Sequence, residues 1–203
     1  MDDRIWFALV IIIAYFLGNI SPSILIGRQK GIDIKSSGSG NAGTTNALRV
    51  LGKKAALATL AIDIGKGFLA VEIGYLLSTP TAAMFCAFAA FAGHIWPVCF
   101  GFKGGKGVAV AFGTVLGINW QLALICLGVV ILTVLITRMV SMGSIVVAFF
   151  FPAACFFMER EFFPFALVMA AIMLYAHRTN IKRILRHEEN KLNFGSRKGG
   201  EAK

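Results

Sequence analysis

Residues 107–137 read GVAVAFGTVLGINWQLALICLGVVILTVLIT, 31 residues without a charge. As one continuous helix this stretch would run about 46 Å, against roughly 30 Å of bilayer hydrocarbon. A single crossing would also carry everything downstream, basic C-terminal tail included, to the opposite side of the membrane. A break near Gly117-Ile118-Asn119-Trp120 gives two short crossings and keeps every basic segment on one side. The expected fold is therefore all-α: a polytopic integral membrane helix bundle of about seven transmembrane helices. Five crossings plus a re-entrant pair is the alternative.

The rest of the chain agrees. Of its 203 residues, 57% are apolar, and the mean hydropathy of +0.76 is too high for a soluble domain. The length suits one compact membrane domain, 1–190, followed by a basic tail, 191–203. Apolar runs place the spans near Ile5–Ile26, Ala55–Leu77, Thr81–Phe100, Val108–Ile118, Gln121–Thr137, Val140–Met158 and Phe162–Ala176. The segments between them on one side, 28–54, 101–107, 138–139 and 177–203, then hold 17 of the 20 Lys and Arg. By the positive-inside rule that side is cytoplasmic, which puts the N-terminus outside and the C-terminus in the cytoplasm. The net charge of +10 is thus a topology signal, assisted by anionic lipid headgroups, and not a mark of nucleic-acid binding. Asp2 and Asp3 precede the first apolar run, where a cleaved signal would carry positive charge. Cys86, Cys99, Cys126 and Cys155 form no CxxC pair and are expected to be buried small hydrophobes.

Polar chemistry is concentrated in three islands. The first is SSGSGNAGTTNALR at 36–49, whose Gly38, Gly40 and Gly43 spell GxGxxG, with Asp63 twenty residues beyond. A dinucleotide fingerprint needs a preceding strand and a βαβ unit; here the glycines follow one membrane helix and Asp63 lies in the next. The physical content survives: bare backbone N–H groups, Ser and Thr hydroxyls and the start of a helix at Thr45–Leu51 all suit an anion. Arg49 offers a bidentate fork. The second island, GHIWPVCFGFKGGKG at 93–107, sets Lys103 and Lys106 on a glycine backbone without the Walker A spacing. In the third, His177 and Asn180 stand three apart on a helix leaving the last span. Asp63 and Lys66 are an ionisable i,i+3 couple inside an apolar helix, where charges must pair or face a polar cavity. Glu72 has no partner legible in sequence.

In this order and at these spacings the islands resemble the bacterial acyl-phosphate:glycerol-3-phosphate acyltransferases, the PlsY family. The matching stretches are SGSGNAGTTNALR at 37–49, GHIWPVCFGFKGGKGVAVAFG at 93–113, and the His177/Asn180-Ile181 end with Glu189 after it; Asp63-Ile64-Gly65-Lys66-Gly67 also looks like that family's second-helix signature. Ala176 stands where many relatives carry Arg, a departure at one anion contact for which Arg178, from another direction, is the candidate replacement. The resemblance implies transfer of a fatty acyl group from a long-chain acyl phosphate to the sn-1 hydroxyl of glycerol 3-phosphate. The products would be 1-acylglycerol 3-phosphate (lysophosphatidate) and inorganic phosphate, made at the cytoplasmic face of the bacterial inner membrane. It implies catalytic roles for Ser37, Lys103, His177 and Asn180. Phosphate or oxyanion contacts would come from Gly38, Ser39, Gly40, Asn41, Thr45, Asn46, Arg49, His94, Gly104, Gly105, Lys106 and Ser141. No cofactor or metal is implied; beyond the two substrates and membrane lipids no partner follows, and the oligomeric state is not fixed.

The residues leave two rivals, and a third, a purely structural membrane subunit, is disfavoured by the long specific loops. One is an acyltransferase of the same scaffold with another phosphorylated acceptor. The other is a small phosphate or phosphate-ester transporter, suggested by the broken span and the charged second helix. The His-x4-Asp motif of acyl-CoA-dependent glycerolipid acyltransferases is absent, since His94, His177 and His187 are followed five residues later by Cys99, Lys182 and Leu192.

Overall fold

The computed structural model describes residues 3–192, so most of the expected tail, 193–203, lies outside the described residues. Among these, ten α-helices follow one another with no strand between them: α1 (Asp3–Asn19), α2 (Pro22–Gln29), α3 (Thr44–Val50), α4 (Lys53–Leu77), α5 (Pro80–Ile95), α6 (Val108–Ile118), α7 (Trp120–Thr137), α8 (Val140–Met158), α9 (Phe163–Ala176) and α10 (Arg178–Leu185). Without a strand before Gly38, the dinucleotide reading of the glycines has no structural basis.

The decisive stretch breaks at Asn119. Helix α6 stops at Ile118, and Asn119 takes an extended conformation (φ −152°, ψ 101°). Its side chain accepts a hydrogen bond from Leu122 N at 3.0 Å and so caps α7. Eleven residues make α6 about 16 Å long, near half the hydrocarbon thickness. Three segments, Pro80–Phe100, Trp120–Thr137 and Val140–Met158, are long and apolar enough to cross a membrane, and α1 with α2 makes a fourth bent by 42°. That bend corrects the expectation of an unbroken first span over Ile5–Ile26. Pro22 has no N–H to continue the helix and holds Ser21 extended (φ −115°, ψ 93°).

Helices α4 and α5 form the centre: α1 and α6 pack against both, while α7, α8 and α9 follow in sequence around the far side. The α4–α6 contact is backbone against backbone. A Cβ on Gly67 would overlap the Val110 carbonyl, and one on Gly113 the Ile64 carbonyl, so this pair of small residues sets the helix separation. Phe91, Leu122, Phe162 and Met169 fill the core, whereas Leu76, Leu132, Ile136, Phe149 and Phe157 point outward, as a lipid-facing surface requires. Three cysteines are buried as expected, but Cys99 is exposed, because it lies in the 3₁₀ turn Val98–Phe100 beyond the end of α5.

Candidate active site

The first island folds around one buried amide. Asn46 is 1% exposed; its Nδ2 donates to the carbonyls of Ile34 (3.1 Å) and Ser37 (3.0 Å), and its Oδ1 accepts from Ser39 N (2.8 Å). Gly38 turns the chain over this side chain at φ +62°, where a Cβ would strike Asn46 Oδ1. Lys35 fastens the loop to the second island by donating to the Phe100 carbonyl at 2.7 Å. Helix α3 then starts at Thr44 and carries Arg49 in its last turn.

The second island is laid back onto α5. Gly104 N donates to the Ile95 carbonyl at 3.0 Å and Gly105 N to the His94 carbonyl at 3.1 Å. This double tie turns Lys106 inward, where its ammonium donates to Asn180 Oδ1. Burial first, then the neighbouring Arg183, lower the Lys106 pKa to about 8.

The third island closes the ring. His177 caps both the end of α9 and the start of α10. Its Nδ1 lies 2.8 Å from the Met173 carbonyl. A carbonyl can only accept, so Nδ1 holds the proton and Nε2 is a free acceptor. Burial pulls the His177 pKa down to about 4, with the Met173 bond opposing it, so at neutral pH the ring is uncharged. Glu189 accepts from Ser141 Oγ and Asn180 Nδ2, both at 2.8 Å, and from Arg183 Nε at 2.7 Å. Burial pushes the Glu189 carboxyl up, but these three donors outweigh it and hold it below the usual range.

These pieces surround one cavity of about 630 Å³. At its polar part stand Ser39, Asn41, Thr45, Asn46, Arg49, His94, Lys106, Ser141, His177 and Asn180; Phe112, Val115, Ala123, Cys126, Val147 and Phe151 line the apolar part. Cations and amide donors thus adjoin a slot walled by α6, α7 and α8.

The chain matches the glycerol-3-phosphate acyltransferase family over residues 8–187. It is 43% identical over 187 residues to a glycerol-3-phosphate acyltransferase of Thermoanaerobacter sp. (strain X514), covering 91% of this chain and 94% of that one. The chain belongs to the glycerol-3-phosphate acyltransferase family. To the protein of that name from Salmonella paratyphi B (strain ATCC BAA-1250 / SPB7) it is 46% identical over 186 residues, with 90% and 91% covered. The fold superposes on a crystal structure of PlsY, an integral membrane glycerol 3-phosphate acyltransferase in its glycerol 3-phosphate form, with a TM-score of 0.87 at 35% identity, covering 92% of this chain and 96% of that one. The lysophosphatidic acid form of PlsY gives 0.84 at the same identity, with 92% and 95% covered. This family member is accordingly a multi-pass membrane acyltransferase.

Not every residue singled out in its sequence reaches the cavity. Ser37, Gly38, Gly40, Lys103, Gly104 and Gly105 do not line it; Ser37 instead gives its carbonyl to Asn46 and to Gly40 N, and Lys103 is exposed. The cavity also includes Asp63, Ser144, Arg183 and Glu189, which residue patterns had not marked as site residues. Arg183 lies in the basic segment 177–203 that was read as a topology signal, and Glu189 was carried only by the family resemblance.

Proposed function

We propose that the enzyme transfers a fatty acyl group from acyl phosphate to the sn-1 hydroxyl of glycerol 3-phosphate, releasing 1-acylglycerol 3-phosphate and inorganic phosphate. The observation that carries this reading is the single cavity that joins anion-binding groups to an apolar slot. Both substrates bear phosphate and one bears a long chain; the cavity offers a place for each. Arg49, Lys106 and Arg183 supply cations, and Asn41, Thr45, Ser141 and Asn180 supply donors for orientation. The catalytic task is to hold the hydroxyl against the acyl carbonyl and to stabilise the oxyanion that forms.

In the reaction the hydroxyl oxygen bonds to the carbonyl carbon, the acyl–oxygen bond of the mixed anhydride breaks, and phosphate departs with the electron pair. A phosphate oxygen takes the hydroxyl proton. Neutral His177, with Nε2 free, accepts a hydrogen bond and orients the hydroxyl; with a pKa of about 4 it is a poor proton sink at pH 7. Ser37 and Lys103, on the loops flanking the cavity, act on incoming substrate, with the glycines at 38, 40, 104 and 105 supplying backbone donors.

The basic loops between helices support a topology of seven crossings, with α6 as a short one, the N-terminus outside and the site at the cytoplasmic face of the bacterial inner membrane. Residues 1–190 make up the single acyltransferase domain. The test is a comparison of palmitoyl phosphate with palmitoyl-CoA as donors for glycerol 3-phosphate, using purified protein in detergent. Turnover with the phosphate alone is expected; turnover with the thioester alone overturns the donor assignment.

A further inference from the structure

Three ionisable side chains meet inside the bundle, beneath the phosphate-facing loop. Asp63 and Lys66 of α4 and His94 of α5 are 1%, 3% and 5% exposed. The Lys66 ammonium lies 2.5 Å from the Ile20 carbonyl, 2.8 Å from Asp63 Oδ1 and 3.0 Å from His94 Nδ1. The ammonium thus has hydrogen-bond contacts with His94 Nδ1 and with a carbonyl at the α1–α2 break opened by Pro22, and it is ion-paired with Asp63 Oδ1, which also lies 3.4 Å from His94 Nδ1. An ammonium only donates, so His94 Nδ1 accepts and the ring proton sits on Nε2. A salt bridge alone would explain Asp63 and Lys66. It does not explain why the imidazole is enlisted, or what its other edge touches.

That other edge lies under the second island. A Cβ built on Gly105 would overlap His94 Nε2, Cε1 and Cδ2, and one on Gly104 would overlap the His94 carbonyl. The same residue's carbonyl holds Gly105 N. His94 therefore supports this loop with both ring and backbone, one residue before Lys106. We propose that Asp63 and Lys66 are positioning residues for the substrate phosphate: they fix the His94 ring, the ring fixes Gly104–Gly105, and the loop sets the direction of Lys106 toward Asn180. Removing both charges together spares the fold the cost of a lone buried ion but frees the imidazole. The loop then loses its floor and Lys106 its register.

This inference rests on the cavity being the glycerol 3-phosphate site, but not on the acyl donor. Calorimetric binding of glycerol 3-phosphate in detergent tests it without turnover, so a failure of the acyl phosphate assay leaves it standing or falling separately. Gly105→Ala, which pushes the loop off the ring, and Asp63→Asn/Lys66→Gln, which frees the ring, are each expected to weaken binding on the order of tenfold. The combined variant is expected to bind within about threefold of the weaker parent, because both changes break one connection. Lys66→Arg keeps the charge but cannot place one compact ammonium among three acceptors; it gives the same result where the double variant does not yield monodisperse protein. Losses that multiply to about a hundredfold in the combination, or charge-free and Lys66→Arg proteins that bind as the wild type does, overturn the proposal.

Discussion

Ser141 Oγ donates to Glu189 Oε1 at 2.8 Å across 48 residues of sequence, tying the segment after α10 to the start of α8. The same carboxylate takes Asn180 and Arg183, so one acidic group gathers the third island against the cavity. The Glu189 side chain is 5% exposed against 32% for Arg183, so these bonds are partly shielded from solvent.

Glu189→Gln keeps the shape and removes the charge that three donors share. Breaking charge-assisted bonds of this kind costs about 1.5–3 kcal/mol each at most, and the amide retains part of them. The variant is expected to melt several degrees lower in detergent, with acyltransferase activity falling further than stability. The wild type should show the matching pH response. Its carboxyl is held below the ordinary range, so its contribution is full at neutral pH and is lost as pH falls through the lowered value. A thermal melt series in acid compares the two proteins; parallel curves would show that Glu189 is not the fastening point.

Lys106 loses its proton near pH 8. Above that value the free enzyme has a weaker anion clamp, while the substrate phosphate remains dianionic. In the wild type kcat/KM for glycerol 3-phosphate should decline above about pH 8. Lys106→Arg stays charged throughout and should flatten that limb of the profile, at a lower overall rate. An unchanged alkaline limb would assign it to another group.

His177 takes up its proton only near pH 4, against an ordinary value of 6.5. In the folded enzyme it is therefore uncharged around neutrality, and no inflection near 6.5 should come from this ring. His177→Ala is expected to lower kcat by about 10²-fold or less and to leave measurable turnover, because the leaving phosphate accepts the proton. Complete loss in a folded protein that still binds both substrates would make His177 the base.

Ala123 and Cys126 on α7 stand in the apolar part of the cavity. A phenylalanine at either position shortens the slot, at an overpacking cost of about 1–3 kcal/mol. Competition between palmitoyl and decanoyl phosphate should shift toward the shorter donor in Cys126→Phe. An unaltered preference would place the acyl chain elsewhere.

The break at Asn119 was legible because the uncharged run is too long for one crossing and carries Gly117 and Asn119 near its middle. The break at Ser21-Pro22 was passed over because apolar residues continue on both sides of it, although the proline was in plain view. Asp63 and Lys66 pair as their spacing suggests, but nothing local brings His94 to them; it arrives on another helix. In Lys103-Gly104-Gly105-Lys106 both lysines were expected at the anion, but of the two Lys106 alone lines the cavity; the two glycine amides bond to the last carbonyls of α5, a tertiary constraint that composition does not carry. Residue pattern alone left Glu189 unmarked, and only the family resemblance carried it, because a charged stretch near a basic end looks solvated until its donors converge on it.

The most direct measurement follows purified protein with palmitoyl phosphate and glycerol 3-phosphate, reading phosphate release and acylated product together. One phosphate per 1-acylglycerol 3-phosphate, with both lost in the Lys106→Ala protein, is the predicted result. Phosphate release without acylglycerol phosphate, or product formed from palmitoyl-CoA alone, would contradict it.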